Sequence, residues 1–119
     1  VVLFWYPLDW SPTCEKENCK LSVDMPLKRN DVVVVGISRD STWSHKAWKQ
    51  HFKISHDLLA DPMLEVTKQY GLVHPAQFIS HRATVIVDKN GKVALCEIQQ
   101  NTGAERDWAP IQACLAKLA

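Results

Sequence analysis

Apolar and polar positions alternate along this chain in several distinct patterns. Val1 to Tyr6, "VVLFWY", is apolar without a break, as expected for a central parallel strand covered on both faces. Pro7 ends it. Ser11 followed by Pro12 is a helix-start signal, a hydroxyl cap and then a proline in the first turn. The predicted helix runs from about Pro12 to Asp24, with Cys14, Leu21 and Met25 on one face, and Pro26 interrupts it. Residues 31–38, "DVVVVGIS", form a second apolar run, too β-branched for a helix. Ser41 or Thr42 then caps a helix carrying Trp43, Ala47, Trp48 and Phe52. Residues 61–71, "DPMLEVTKQYG", have an Asp cap, an early proline and a closing glycine, which predicts a short third helix.

The last third changes period. "ATVIVDKNGKVALCEI" places two strands around a turn at Asn90-Gly91 and reads as an antiparallel hairpin. From about Glu105 to Leu118 a final helix puts Trp108, Ile111, Leu115 and Leu118 on one stripe. The element order is therefore βαβαα followed by ββα. A parallel βαβ half, a hairpin and a closing helix describe an α/β, thioredoxin-like fold with a central mixed sheet flanked by helices. Its crossover is expected to be right-handed.

Composition narrows the picture without redirecting it. The 119 residues suit one domain. Fourteen basic and thirteen acidic side chains give a net charge of +1, which offers no electrostatic case for nucleic acid or an anionic membrane. No apolar stretch approaches the length that spans a bilayer. The chain carries no initiator Met and opens inside a strand, so a preceding β segment is expected to be missing from this single domain, residues 1–119. A cytoplasmic location is the working expectation.

The chemistry sits in "PLDWSPTCEKENC", residues 7–19. Cys14 falls in the first turn of a helix that begins at the carboxyl end of a parallel strand, where open α/β sheets bind ligands. The helix dipole and the free first-turn amides both favour a thiolate there. Cys19 lies five residues on, about 7.5 Å along an intact helix and on a different face. A disulfide between them requires the first turn to unwind. Cys19 reads either as the partner in a reversible disulfide or as a small half-buried residue. A lone C-x4-C without a second ligand pair is a poor zinc pattern, and no metal or other cofactor is expected. Cys96 and Cys114 read as core or half-core positions, and His45 and His51 as solvated helix residues.

These residues resemble the active-site segment of the peroxiredoxins, P-x-x-x-T/S-x-x-C, filled here by Pro7, Ser11 and Cys14. Glu17 matches a position that is often acidic in the family, and a second cysteine five places on resembles the Q-type, or bacterioferritin comigratory, branch. The likeness continues through "VVVVGISRDS", "SHKAW" and "LLADP" to "HRATVIVDKNGKV", which supplies the family's distal arginine as Arg82. Trp5 and Trp10 stand where the family more often has Phe and read as packing or as the wall of the site.

The resemblance implies a thiol-dependent peroxidase that reduces hydrogen peroxide and organic hydroperoxides. Cys14 would attack the peroxide and become a sulfenic acid, and Cys19 would resolve it as an intramolecular disulfide. Arg82 would stabilise the moving charge, Ser11 would orient the peroxide, and Pro7 would shield the sulfur. Thioredoxin or a similar dithiol would be the reductant, and the chain would act as a monomer. Two alternatives stay open: a thioredoxin-like thiol-disulfide oxidoreductase, and an inactive truncated interaction domain.

Overall fold

The unbroken apolar run becomes β1 (Val2–Trp5), the middle strand of a five-stranded sheet. On one side it pairs in parallel with β2 (Val34–Ser38), and β2 pairs in parallel with β3 (Asp57–Ala60). On the other side it runs antiparallel to β4 (Arg82–Val87), which folds back on β5 (Val93–Gln99). Four helices complete the element set: α1 (Pro12–Val23), α2 (Thr42–Phe52), α3 (Glu65–Gln69) and α4 (Ala109–Lys117). The computed structural model describes residues 1–23, 32–99 and 105–118. The architecture is the expected thioredoxin-like one.

Alternate residues of β1 serve two cores. Val2, Phe4 and Tyr6 join Ile86 in a cluster closed by Cys14 of α1, Trp48 of α2, and Ile111 and Leu115 of α4. Trp5 points the other way, with Ile37, Ala83 and Val85, and Leu72 closes that side. This double coverage is why β1 reads as apolar at every position. Each large side chain fully buried in these clusters contributes about 1.5–3 kcal/mol. The Trp5 indole also donates to Thr67 Oγ1 at 3.0 Å, and Thr67 passes its hydroxyl hydrogen to Asp61 Oδ2 at 2.6 Å.

Four expectations need correction. β3 occupies a stretch where the expected element order has no strand. It is only four residues long, rests on Leu and Ala rather than β-branched residues, and is paired on one side alone. The third helix is shorter than expected and starts at Glu65, because Asp61 spends its carboxylate on the Thr67 N–H and hydroxyl across a turn. Gly71 does close it, with a positive φ of 71°. The last helix begins at Ala109 rather than near Glu105. Pro110 lacks an N–H and fits only the first turn, so the helix cannot extend far before it. Cys96 is exposed on the edge strand β5, not in the core, whereas Cys114 packs half-buried against the first cluster. The hairpin turn behaves as read: Gly91 has φ 78°, and Asp88 binds the Asn90 and Lys92 amides. Met25 and Pro26 lie outside the described residues.

Candidate active site

β1 delivers the chain to the site, and three sharp features turn it into α1. Pro7 is buried at the strand exit. Trp10 adopts a left-handed backbone, φ 70°, a conformation that costs a bulky residue of order 1–3 kcal/mol. Its ring leans on α2, with centroids 5.5 Å from His51 and 6.0 Å from Phe52. Ser11 then stands just before the helix, its carbonyl accepting from Glu15 N at 2.9 Å. Its hydroxyl donates to the Leu8 carbonyl at 3.0 Å, so it braces the turn rather than capping the helix with its side chain.

Cys14 occupies the first turn of α1 with no solvent exposure. Arg82, the first residue of β4, points a guanidinium N–H at its sulfur across 3.1 Å. The same guanidinium pairs through Nη1 with Glu17 Oε1, one turn further along α1. Glu17 is also completely buried, and its second partner is Arg106, which precedes α4. Arg106 places all five guanidinium hydrogens: Nε and Nη2 on the two Glu17 oxygens, Nη1 on Ala83 O and Thr84 Oγ1, and Nη2 on Trp5 O. Its backbone N–H adds a further bond to Glu17 Oε2 at 2.7 Å. Burial pushes the Arg106 guanidinium down from its ordinary value, the Glu17 carboxylate opposes that, Arg82 adds to it, and Cys14 opposes it again.

The cluster therefore contains two guanidiniums, one carboxylate and one sulfur, all buried. With Cys14 as thiolate the formal charges cancel. With Cys14 as thiol an uncompensated positive charge remains in a dry site, where such an excess is costly. The Arg82 guanidinium hydrogens lie beside the sulfur, where they can stabilise negative charge on a reacting group.

Cys19 lies half-buried on the same unbroken helix and forms no disulfide with Cys14. Burial and the nearby Glu15 push its thiol upward from the ordinary value, so it rests as a thiol. Between the two cysteines, Asn18 donates to the Cys14 carbonyl at 2.8 Å, and His56 Nε2 donates to Asn18 Oδ1 at 2.8 Å. Burial, with Lys49, lowers His56 to about 4, so it makes this bond as a neutral ring.

Of the five residues expected at the site, the structure brings Cys14 and Arg82 into contact. Pro7 and Ser11 shape the turn before them, and Cys19 stays on the intact helix. Arg106 was missed. "ERDWAP" reads as the start of the last helix, and nothing in its spacing ties it to a motif 92 residues away. Glu17 was noticed only as a matching position. Its companionship with two arginines is visible only in three dimensions. His45, expected in solvent, is buried between Asp9 and the Leu59 carbonyl.

The AhpC/TSA family model matches residues 1–96, which carry the buried thiol and its arginine. The chain belongs to this family. A peroxiredoxin of Aquifex aeolicus is 36% identical over 100 residues, covering 76% of this chain and 45% of the relative. A chloroplastic peroxiredoxin Q of Suaeda salsa is 36% identical over 99 residues, covering 80% of this chain and 45% of the relative. The chain thus spans about half the length of these relatives. Its fold superimposes on the crystal structure of a peroxiredoxin-like protein from Aquifex aeolicus with a TM-score of 0.90 at 24% identity, over 99% of this chain and 71% of that one. The Q-type likeness read from the sequence agrees with the peroxiredoxin Q relative and with a putative peroxiredoxin bcp of Coxiella burnetii, 36% identical over 101 residues, 79% of this chain and 67% of the relative.

Proposed function

We propose that this chain is a thiol peroxidase acting on hydrogen peroxide and organic hydroperoxides through Cys14. The observation that carries the reading is the 3.1 Å contact between Arg82 and the buried Cys14 sulfur, inside a cluster neutral only when that sulfur is a thiolate. The thiolate attacks the nearer peroxide oxygen, forming an S–O bond as the O–O bond breaks. Sulfur is oxidised to sulfenic acid, and the electron pair leaves on the distal oxygen, which takes a proton and departs as water or alcohol. Negative charge moves from sulfur to that oxygen beside Arg82, so the donor that held the thiolate also serves the transition state. Pro7 limits water at the sulfur, and the Ser11 turn keeps the first turn of α1 in place.

Cys19 then displaces hydroxide from the Cys14 sulfenic sulfur. The hydroxide leaves as water with the thiol's proton, and a disulfide remains. The two positions are about 7.5 Å apart along the axis of a whole helix, so the first turn of α1 opens for this step and the Asn18 bond to the Cys14 carbonyl breaks. A dithiol of the thioredoxin class returns both thiols by exchange. Because both cysteines share one helix, a single copy suffices. A cytoplasmic setting would supply such reductants. Among the described residues no helix is long and apolar enough to cross a membrane.

Stopped-flow tryptophan fluorescence tests the reading. Mixing with peroxide is expected to give a peroxide-dependent phase in the chain and none in Cys14→Ser. Its absence from the parent chain, or fast insulin reduction by that chain, would reject the peroxidase assignment.

A further inference from the structure

A second polar cluster lies on the other side of the Pro7–Ser11 turn, and the reaction steps above make no use of it. Asp9 is buried in this turn and accepts the Tyr6 hydroxyl at 2.6 Å, the Ser44 hydroxyl at 2.9 Å and His45 Nδ1 at 2.7 Å. The opposite ring nitrogen of His45, Nε2, meets the Leu59 carbonyl of β3 at 3.0 Å. Nδ1 also lies 3.4 Å from the Tyr6 hydroxyl, but that hydroxyl gives its hydrogen to Asp9 at 2.6 Å, so the nearest partner of each ring nitrogen is an acceptor. A neutral imidazole has one N–H and would satisfy one of them, whereas an imidazolium satisfies both. The Tyr6 hydroxyl is held protonated by burial and by Asp9, so it stays a neutral donor to Asp9.

We propose that His45, bridging Asp9 and the Leu59 carbonyl as an imidazolium, is a positioning residue that holds the Pro7–Ser11 turn for the Cys14 reaction and releases it on losing its proton. The proposal rests on the peroxidase reading. One histidine ties together three parts of the fold: the turn that feeds α1, the first half of α2, and the edge strand β3. Its loss of a proton leaves Asp9 as a buried carboxylate without a cation in contact, or leaves one of its two acceptors unpaired.

Other charges facing the ring act in both directions. Asp40, at the β2–α2 turn, accepts from Asp9 N at 2.8 Å and favours the cation. Lys46 and Lys49 of α2 and Asp57 of β3 line the shallow groove beside it, and Lys49 pairs with Asp57 at 3.5 Å. Burial alone pulls His45 downward, but the Asp9 hydrogen bond and charge, the Leu59 carbonyl and Asp40 outweigh it, leaving the ring raised above its ordinary value. The cation is therefore lost as pH rises through that raised value.

The test follows three signals against pH in the whole chain: the His45 ring resonances, the rate of the peroxide phase, and alkylation of Cys14 by iodoacetamide read by peptide mass spectrometry. The His45 midpoint is expected to coincide with a fall of about tenfold or more in the peroxide rate. Alkylation of the buried Cys14 should instead rise in a second step at the same midpoint, because a loosened turn admits the reagent. Asp9→Asn should move all three midpoints to lower pH together, and His45→Gln should react slowly with no fall at that midpoint. A peroxide rate flat through the His45 midpoint, or the same fall persisting in His45→Gln, overturns the proposal. If the parent chain shows no peroxide phase at any pH, the peroxidase reading fails. The alkylation step at the His45 midpoint then decides the positioning role, its presence supporting the role and its absence overturning it.

Discussion

Two buried charged clusters flank the exit of β1, and they differ in the cation that holds them. Beneath α1, Glu17 and the Cys14 sulfur are held by Arg82 and Arg106. Beneath α2, Asp9 is held by His45. A guanidinium keeps its charge at any pH a protein survives, and its planar fork can place every hydrogen, as Arg106 does. An imidazolium is conditional. The fold thus sets the reacting sulfur in a permanent electrostatic frame and hangs the turn leading to it on a titratable one.

The strongest way to break this comparison is to remove the arginine that contacts no substrate. Arg106→Ala leaves Trp5 O and Ala83 O without that donor and Glu17 with Arg82 and one backbone N–H, and is expected to cost about 3–5 kcal/mol in urea unfolding. A loss below about 1 kcal/mol would show that the cluster is not a structural unit. Arg82→Gln keeps Glu17 paired with Arg106, so the fold should survive while the peroxide rate falls about 10²–10³-fold. An unchanged rate would remove Arg82 from the chemistry.

pH sharpens the comparison further, because a second buried histidine carries the opposite sign. His56 is held neutral, lowered from 6.5 to about 4, so the unfolded chain takes up its proton first as pH falls. The stability this neutral ring provides is whole above about pH 6.5 and lost as pH drops toward 4, by up to about 3 kcal/mol. Urea midpoints at pH 7 and 4.5, compared with His56→Gln, check it. His45, raised rather than lowered, contributes stability at acid pH that fades as pH rises through its folded value. The smallest effect is expected at Ser44→Ala. It takes one hydroxyl from Asp9, leaves Tyr6 and His45 in place, and should cost about 1 kcal/mol.

What the sequence disclosed follows the range of the interactions involved. β1, β2, the hairpin and the start of α1 were legible because their signals are local: apolar runs, Asn90-Gly91, and Ser11-Pro12 before Cys14. Cys14 stood out for the same reason, since a helix start acts within one turn. β3 was not legible, because its four residues become a strand only by pairing with β2. Arg106 and His45 look like surface residues in one dimension. Their burial is decided by partners far along the chain, Glu17 for one and Asp9 for the other. Cys96 failed in the opposite direction: a cysteine in an apolar strand reads as core, but β5 is the sheet edge and that position faces solvent.

That last contrast supplies the most direct test of the central claim, that surroundings rather than exposure make the reactive thiol. Cys96 is exposed and Cys14 is wholly buried beside Arg82. One equivalent of hydrogen peroxide, followed by sulfenic-acid trapping and peptide mass spectrometry, should place the label on Cys14 in a Cys19→Ser chain, with Cys96 and Cys114 unmodified. A label on Cys96 ahead of Cys14 would contradict the account.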